Sequence, residues 1–452
     1  MRRNHYLVAG TFSLGCILVA SSSVAQEVGG LQAFATFRQS LIYSDNPDLR
    51  IIKESETVSR TDLTLGFLTE TRATRFRFEV GGAFEFGDRI DGDNTDFLDP
   101  SAELSFARTA GNAALSGSAL YSESDVSDVI LEDTTAIGGD ILNGTGTREV
   151  TDLRLRFDGG LESPFSYGFD VRRREIDFSV TTDPDLIPET EIETNIRLGF
   201  QVSPQLSLGV VATDINFDAD DAVDTQRDTT RIAINGNYQV RDGLSLNFGV
   251  NDSEVTTVRT FGTSVTDGIG GELGFLLDRP NGTLAGTFTT IVEDSGRIDT
   301  LSFTRALDLR AGTLSFGAGL VDTPSGGTDP LFNIAYTQEL PNGMFDLSLS
   351  QVTTVNDDSI DVINSRLSLG YSQPINNVSG WDATLSIADT NVVGVDDDTS
   401  RIDLTFAYRR DLGPDWDLVS RYTYAKVTED GVTDRDSNTI GISLERGFSF
   451  RP

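Results

Sequence analysis

The chain has 452 residues, with 70 acidic against 35 basic side chains and a formal net charge of −35. That balance argues against a nucleic-acid-binding protein, because phosphate binding needs a positive footprint, and against docking on an anionic lipid surface through a basic patch. Hydrophobic residues are 38% of the chain, too few for a bundle of membrane helices, while 44 glycines and 27 phenylalanines suit many strands joined by turns.

The first element is a secretory signal. Arg2 and Arg3 precede an apolar stretch from Leu7 to Ala20, and Ser23-Val24-Ala25 is a small-x-small cleavage site. The stretch is too short for a membrane span. Cleavage is expected after Ala25, giving a signal over 1–25 and a single domain over 26–452. A lipoprotein signal at Ser13-Leu14-Gly15-Cys16 is the rival, weakened by Leu14 where such motifs want a small residue. The only histidine, His5, and the only cysteine, Cys16, lie in this segment. The mature chain would then hold no thiol nucleophile, histidine base or Cys/His zinc site.

From Leu31 onward, segments of about ten residues alternate apolar and polar, the period of a strand with one greasy face. Phe76, Phe78, Val80, Phe84 and Phe86 oppose Arg75, Arg77, Glu79 and Glu85. Leu244, Leu246, Phe248 and Val250 oppose Ser245, Asn247, Gly249 and Asn251. Ile402, Leu404, Phe406 and Tyr408 oppose Arg401, Asp403, Thr405 and Arg409. No linker or composition shift divides the array, so one closed barrel fits better than several sandwiches. Closure also leaves no sheet edge in lipid.

The connections alternate. Short ones such as 241–244 and 340–343 are rich in Gly, Pro, Asn and Asp, the residues of tight turns. Long ones such as 122–146, 181–191, 218–228 and 389–400 are strongly acidic. Short periplasmic turns and long extracellular loops are the organisation of outer-membrane barrels. Both termini fall on the short-turn side, so the strand number is even. The expected fold is all-β: a single transmembrane antiparallel up-and-down β-barrel of about 22 strands, within 18 to 24. Strands returning from the long loops often begin with an inward arginine, as at Arg60 and Arg231. Trp381 and Trp416 each follow a short turn, where an aromatic girdle belongs.

Parity assigns the candidate functional residues. Arg75, Arg77, Asp152, Arg154, Arg156, Asp158, Arg197, Arg231, Arg366 and Arg401 should face the lumen, where opposed charges orient polar solutes and tune ion selectivity. Pairing along a wet wall is the plainer reading. The acidic loops could hold divalent cations that bridge lipopolysaccharide. Asp91 to Asp96 begins like a calcium loop but has Asp96 in place of the glycine and Ala102 in place of the bidentate Glu. Residues 137–146 carry one glycine-rich calcium-like unit. No G-x-S-x-G or H-E-x-x-H occurs, so no enzyme and no cofactor is expected. Too few residues separate Ala25 from Leu31 for a plug domain, which favours passive or partner-gated passage.

The last strand puts Ile440, Ile442, Leu444, Arg446, Phe448 and Phe450 on one face. Ile442, Leu444, Phe448 and Phe450 resemble the signal read by the outer-membrane assembly machinery. The departure is that Arg451 and Pro452 follow the final aromatic. The opening strand ends in Tyr43-Ser44-Asp45-Asn46. With the hairpins and the terminal phenylalanine strand, this resembles the β-barrel porin family of Gram-negative outer membranes, some of whose members accompany exopolysaccharide export. The resemblance implies an outer-membrane barrel among lipid and lipopolysaccharide, forming a passive channel for small solutes or exporting polysaccharide. The alternatives are a structural or adhesive barrel with an occluded lumen, and a secreted soluble β-protein.

Overall fold

The computed structural model describes residues 30–88, 95–126, 146–181, 186–324, 327–355, 360–393, 398–413 and 415–451. The signal segment with Ala25, Asp91 to Asn94 and residues 137–145 lie outside the described residues. Alternation becomes strand throughout. The chain runs β1 (Gly30–Ser44), β2 (Glu56–Glu70), β3 (Thr74–Asp88), β4 (Thr95–Ala110), β5 (Ala113–Asp125), β6 (Thr147–Gly159), β7 (Phe165–Ser179) and β8 (Glu189–Ser203). It continues with β9 (Leu206–Ala219), β10 (Thr225–Arg241), β11 (Leu244–Arg259), β12 (Gly262–Arg279), β13 (Gly282–Glu293), β14 (Gly296–Leu309) and β15 (Gly312–Thr323). It ends with β16 (Gly327–Leu340), β17 (Gly343–Val355), β18 (Asp361–Asn376), β19 (Ser379–Val392), β20 (Asp398–Gly413), β21 (Trp416–Glu429) and β22 (Arg435–Phe450).

Each strand pairs antiparallel with the next, and β22 pairs with β1 from Ala33↔Phe450 to Ser44↔Thr439. The sheet is a closed 22-stranded barrel, the form in which strand backbone groups stay satisfied in a bilayer. Strands run 12 to 18 residues, longer than the roughly ten needed to cross at a tilt. One parity carries exposed apolar side chains, among them Leu41, Leu65, Leu155, Ile234, Leu273, Leu404 and Ile442. This is the outward face of the barrel. At the short-turn end its rings cluster: Tyr371 lies 5.0 Å from Trp381, Trp381 5.6 Å from Phe406, and Phe165 5.2 Å from Phe200. That is the girdle expected at a membrane boundary.

The alternation of short and long connections breaks down between β9 and β14. At the long-loop end, Arg259 to Gly262 and Glu293 to Gly296 are tight. The stretch 218–228, expected as a long loop, is mostly strand, with β9 ending at Ala219 and β10 starting at Thr225. Acidic composition misled there, because strand pairing of Asp218 with Gln226 and of Asn216 with Asp228 does not require apolar side chains.

The seam between first and last strands is clamped at the long-loop end by Asp45 and Asn46. The Asn438 backbone N–H and side-chain amide donate to the Asp45 carboxylate at 2.6 and 2.9 Å. Asn46 is fully buried, and its amide donates to the carbonyls of Arg50 (2.9 Å) and Asp436 (3.0 Å). Lys53 bridges Asp436 at 2.7 Å and Asp45 at 3.7 Å. Burial pushes the Asp45 carboxyl up, but the Asn438 hydrogen bonds and Lys53 outweigh it and hold the pKa below the usual range. A depressed carboxylate stabilises the fold above its unfolded pKa of about 4 and loses that contribution as pH falls through the folded value. The stability advantage of the native chain over Asp45→Asn should therefore shrink on acidification below about pH 4. Amide exchange of β22 against pH measures this, and a pH-independent advantage would reject it.

At the other end, Phe448 and Phe450 stack with ring centroids 6.4 Å apart. Both are on the outward parity, opposite Ala35 and Ala33. Phe450→Asp puts a charge on this face, and we expect reduced yield of heat-modifiable barrel in outer-membrane fractions. Unchanged yield would reject an assembly role for the final aromatic.

Candidate functional site: a charged inner wall with a tucked hairpin

The inward parity is polar. All ten charges singled out above lie on it, since they alternate with the exposed apolar positions of their strands. Asp152, Arg154, Arg156, Asp158 and Arg197 come together, joined by two residues that the sequence reading passed over, Asp170 and Arg172. Arg154 makes a two-pronged contact with Asp170 at 3.0 and 3.1 Å. Arg172 pairs with Asp152. Asp158 accepts Arg156 at 2.7 Å and Arg197 at 3.5 Å. The signal for Asp170 and Arg172 was present: both share the inward parity of β7.

The other predicted charges stand apart. Arg77 pairs with Glu79 and lies 5.6 Å from the Phe34 ring. Arg75 is exposed opposite Glu70. Arg366 sits between Ser350 and Ala388. Arg401 is buried against Asp403 at 2.9 Å. A second cluster forms around Arg60, which reaches Asp62 (3.0 Å), Glu85 (3.3 Å) and Asp99. Arg38 joins it through Asp62 at 3.0 Å. Most guanidinium groups on this wall have a carboxylate neighbour, so the wall presents local dipoles more than a uniform field. Such half-exposed pairs contribute little stability, about 0–1 kcal/mol each.

Arg231 leads to a feature not foreseen. Pairing between β12 and β13 stops at Gly271↔Thr290, although β12 continues to Gly262 alongside β11. Beyond that point the β13–β14 hairpin leaves the wall and tucks into the lumen. Its tip residue Asp294 accepts Thr257 at 2.6 Å and Arg259 at 3.3 Å. The Asp294 carbonyl accepts Thr266 at 3.0 Å. Arg231 reaches the Val292 carbonyl at 3.5 Å and Glu293 at 3.4 Å. Thr257, Arg259, Thr266 and Arg231 all belong to the inward parity of β10–β12. Val255 and Thr257 are fully buried there.

Glycine makes the approach possible. A methyl group on Gly270 would lie 2.4 Å from the Thr290 carbonyl oxygen, so only glycine admits the hairpin at this distance. At the tip, Gly296 has φ +128°, which favours glycine. The turn is readable from Asp294-Ser295-Gly296. Its docking is not, because Thr257 lies 37 residues away. Among the described residues no group of three or more His, Cys, Asp or Glu is arranged to hold a metal ion.

No family model matches the chain, and no curated protein matches it in sequence. Solved structures do match in fold. The chain is similar to the FrpB iron transporter from Neisseria meningitidis (F3-3 variant), with TM-score 0.61, 8% identity, and 92% of this chain covering 81% of that one. It is similar to the ferric-catecholate import receptor Fiu from E. coli K12, with TM-score 0.61, 11% identity, and 94% of this chain covering 82% of that one. It is also similar to a mutant of the ferric enterobactin receptor PfeA from Pseudomonas aeruginosa, with TM-score 0.57, 9% identity, and 94% covering 82%. At these identities the shared property is the fold: a closed, all-β barrel of 22 strands.

Proposed function

We propose that this chain is a non-catalytic barrel of a Gram-negative outer membrane and that its lumen carries polar solutes, narrowed from inside by the β13–β14 hairpin. The observation that supports it most is the sorting of side chains by parity, apolar outward and charged inward, around a closed ring. An outward apolar face suits a membrane protein, not a secreted soluble one. An inward face of ion pairs suits a wet path. The passive, porin-like form needs an opening past the tucked tip. A second form, uptake of a specific metal chelate, is favoured by the likeness of fold to solved iron transporters and ferric-siderophore receptors. Polysaccharide export rests on the Tyr43–Asn46 resemblance, and Asp45 and Asn46 have a structural task at the seam. The test is conductance of the refolded chain, lacking residues 1–25, across a planar bilayer. Discrete steps are expected for a passive channel. A folded barrel without steps would reject passive passage and direct attention to binding of a ferric catecholate.

A further inference from the structure

The strongly acidic composition conceals a local reversal of charge. From the apolar belt to the short turns, the outward positions of the described strands carry Arg108, Arg279, Arg305, Arg410 and Arg446, and no Asp or Glu. Inward positions at the same level are mixed, with Glu70, Asp278, Asp308, Glu339, Asp411 and Asp417 beside Arg75 and Arg409. Toward the long loops the outward parity turns acidic, with Glu175, Asp177, Asp214, Asp228, Asp252 and Glu254. Lysine could have supplied positive charge, but the two lysines, Lys53 and Lys426, are both at the long-loop end. The outward charge of the short-turn rim is therefore guanidinium.

The best-defined part of this rim spans β20 to β22. Arg446 lies opposite Trp416 across the strand pair. Its guanidinium is 5.3 Å from the Trp416 ring and 4.5 Å from the Phe448 ring. It also approaches Asp415 in the adjacent turn at 3.6 Å. Arg410 is exposed on the same face, opposite Leu418. Two aromatic faces hold the Arg446 stem flat against the barrel while its head points to the girdle level. A guanidinium on the lipid face is costly in hydrocarbon and tolerated at the interface, where the long stem carries the charge to the headgroups. There its planar fork matches the two oxygens of a phosphate.

We propose that this arginine collar, centred on Arg410 and Arg446, is a docking surface for the phosphate headgroups of anionic glycerophospholipid in the periplasmic leaflet. The proposal rests on the reading of the chain as a membrane barrel. Charge complementarity selects the occupant: the outward strand positions at this depth carry arginine and no carboxylate, whereas the inward wall carries both signs, as at Arg75 beside Glu70 and Arg409 beside Asp411, so the uncompensated positive charge faces the lipid side. A lipid with net negative charge should be preferred over a zwitterionic one by about fivefold per engaged arginine.

Trp416 reports on the site directly. In a Trp381→Phe background it is the sole tryptophan. The refolded chain would be placed in vesicles of phosphatidylcholine with increasing brominated phosphatidylglycerol, and separately with brominated phosphatidylcholine. Preferential quenching by the brominated anionic lipid is expected, weakening as salt is raised. Loss of that preference in Arg410→Gln/Arg446→Gln, with heat-modifiable migration retained, would place it at the collar. Equal quenching by both lipids in the unsubstituted arginine rim would overturn the collar while leaving the membrane barrel standing. An unchanged preference in the double variant would overturn it equally. Quenching by neither lipid would sink the membrane reading itself.

Discussion

Asp294→Ala is expected to raise single-channel conductance by about twofold or more and to add slow current noise. The carboxylate holds the hairpin tip to the inner wall through Thr257 and Arg259. Asp294 and Arg259 have little exposure, 9% and 19% of their side chains, so these bonds are poorly screened. Hydrogen bonds to a charged group contribute about 1.5–3 kcal/mol each. Losing both would move a tucked-to-released equilibrium by about two to four orders of magnitude. The Thr266 bond to the Asp294 carbonyl and the Arg231 contacts survive the substitution, so partial release and flicker are expected rather than a static opening. Gly270→Val attacks the same hairpin from beneath, by filling the space against Thr290. Both variants should move conductance in the same direction. Native conductance in both, with the barrel folded, would show that the hairpin does not limit passage.

Replacing Arg154 and Arg156 together by serine should shift ion selectivity toward cations. Two positive charges leave the inner wall, and Asp170 loses its two-pronged partner. Asp158 retains Arg197 at 3.5 Å. Under a tenfold potassium chloride gradient, the reversal potential should move toward the cation limit by on the order of 10 mV. Arg154→Lys with Arg156→Lys keeps the charge and should leave the potential near native, which separates charge from packing. An unaltered potential in the serine variant would remove this cluster from the conducting path.

The seam shows how a short motif was legible without its reason. Asp45 and Asn46 stand out in the sequence, yet their partners Asn438 and Asp436 are about 390 residues distant. Only closure of β22 on β1 brings them together. The arginine collar is the opposite case. Its parity was available in the sequence, but a net charge of −35 directs attention away from the outward arginines of the short-turn rim.

What the sequence by itself determined was local. The period of two sets which side chains share a face, and a one-residue slip would turn every apolar residue inward. An antiparallel barrel of about 22 strands and the parity of the arginines within their strands follow from that period and from turn chemistry. The tertiary structure alone decided what depends on register and on unequal strand lengths. Arg154 meets Asp170 because β6 and β7 align Arg156 with Asp170 and Arg154 with Arg172, which sets the diagonal. The β13–β14 hairpin tucks inward because its pairing to β12 ends at Gly271 while β12 climbs on. Alternation is a property of each strand, whereas the point at which two strands stop pairing belongs to the whole barrel.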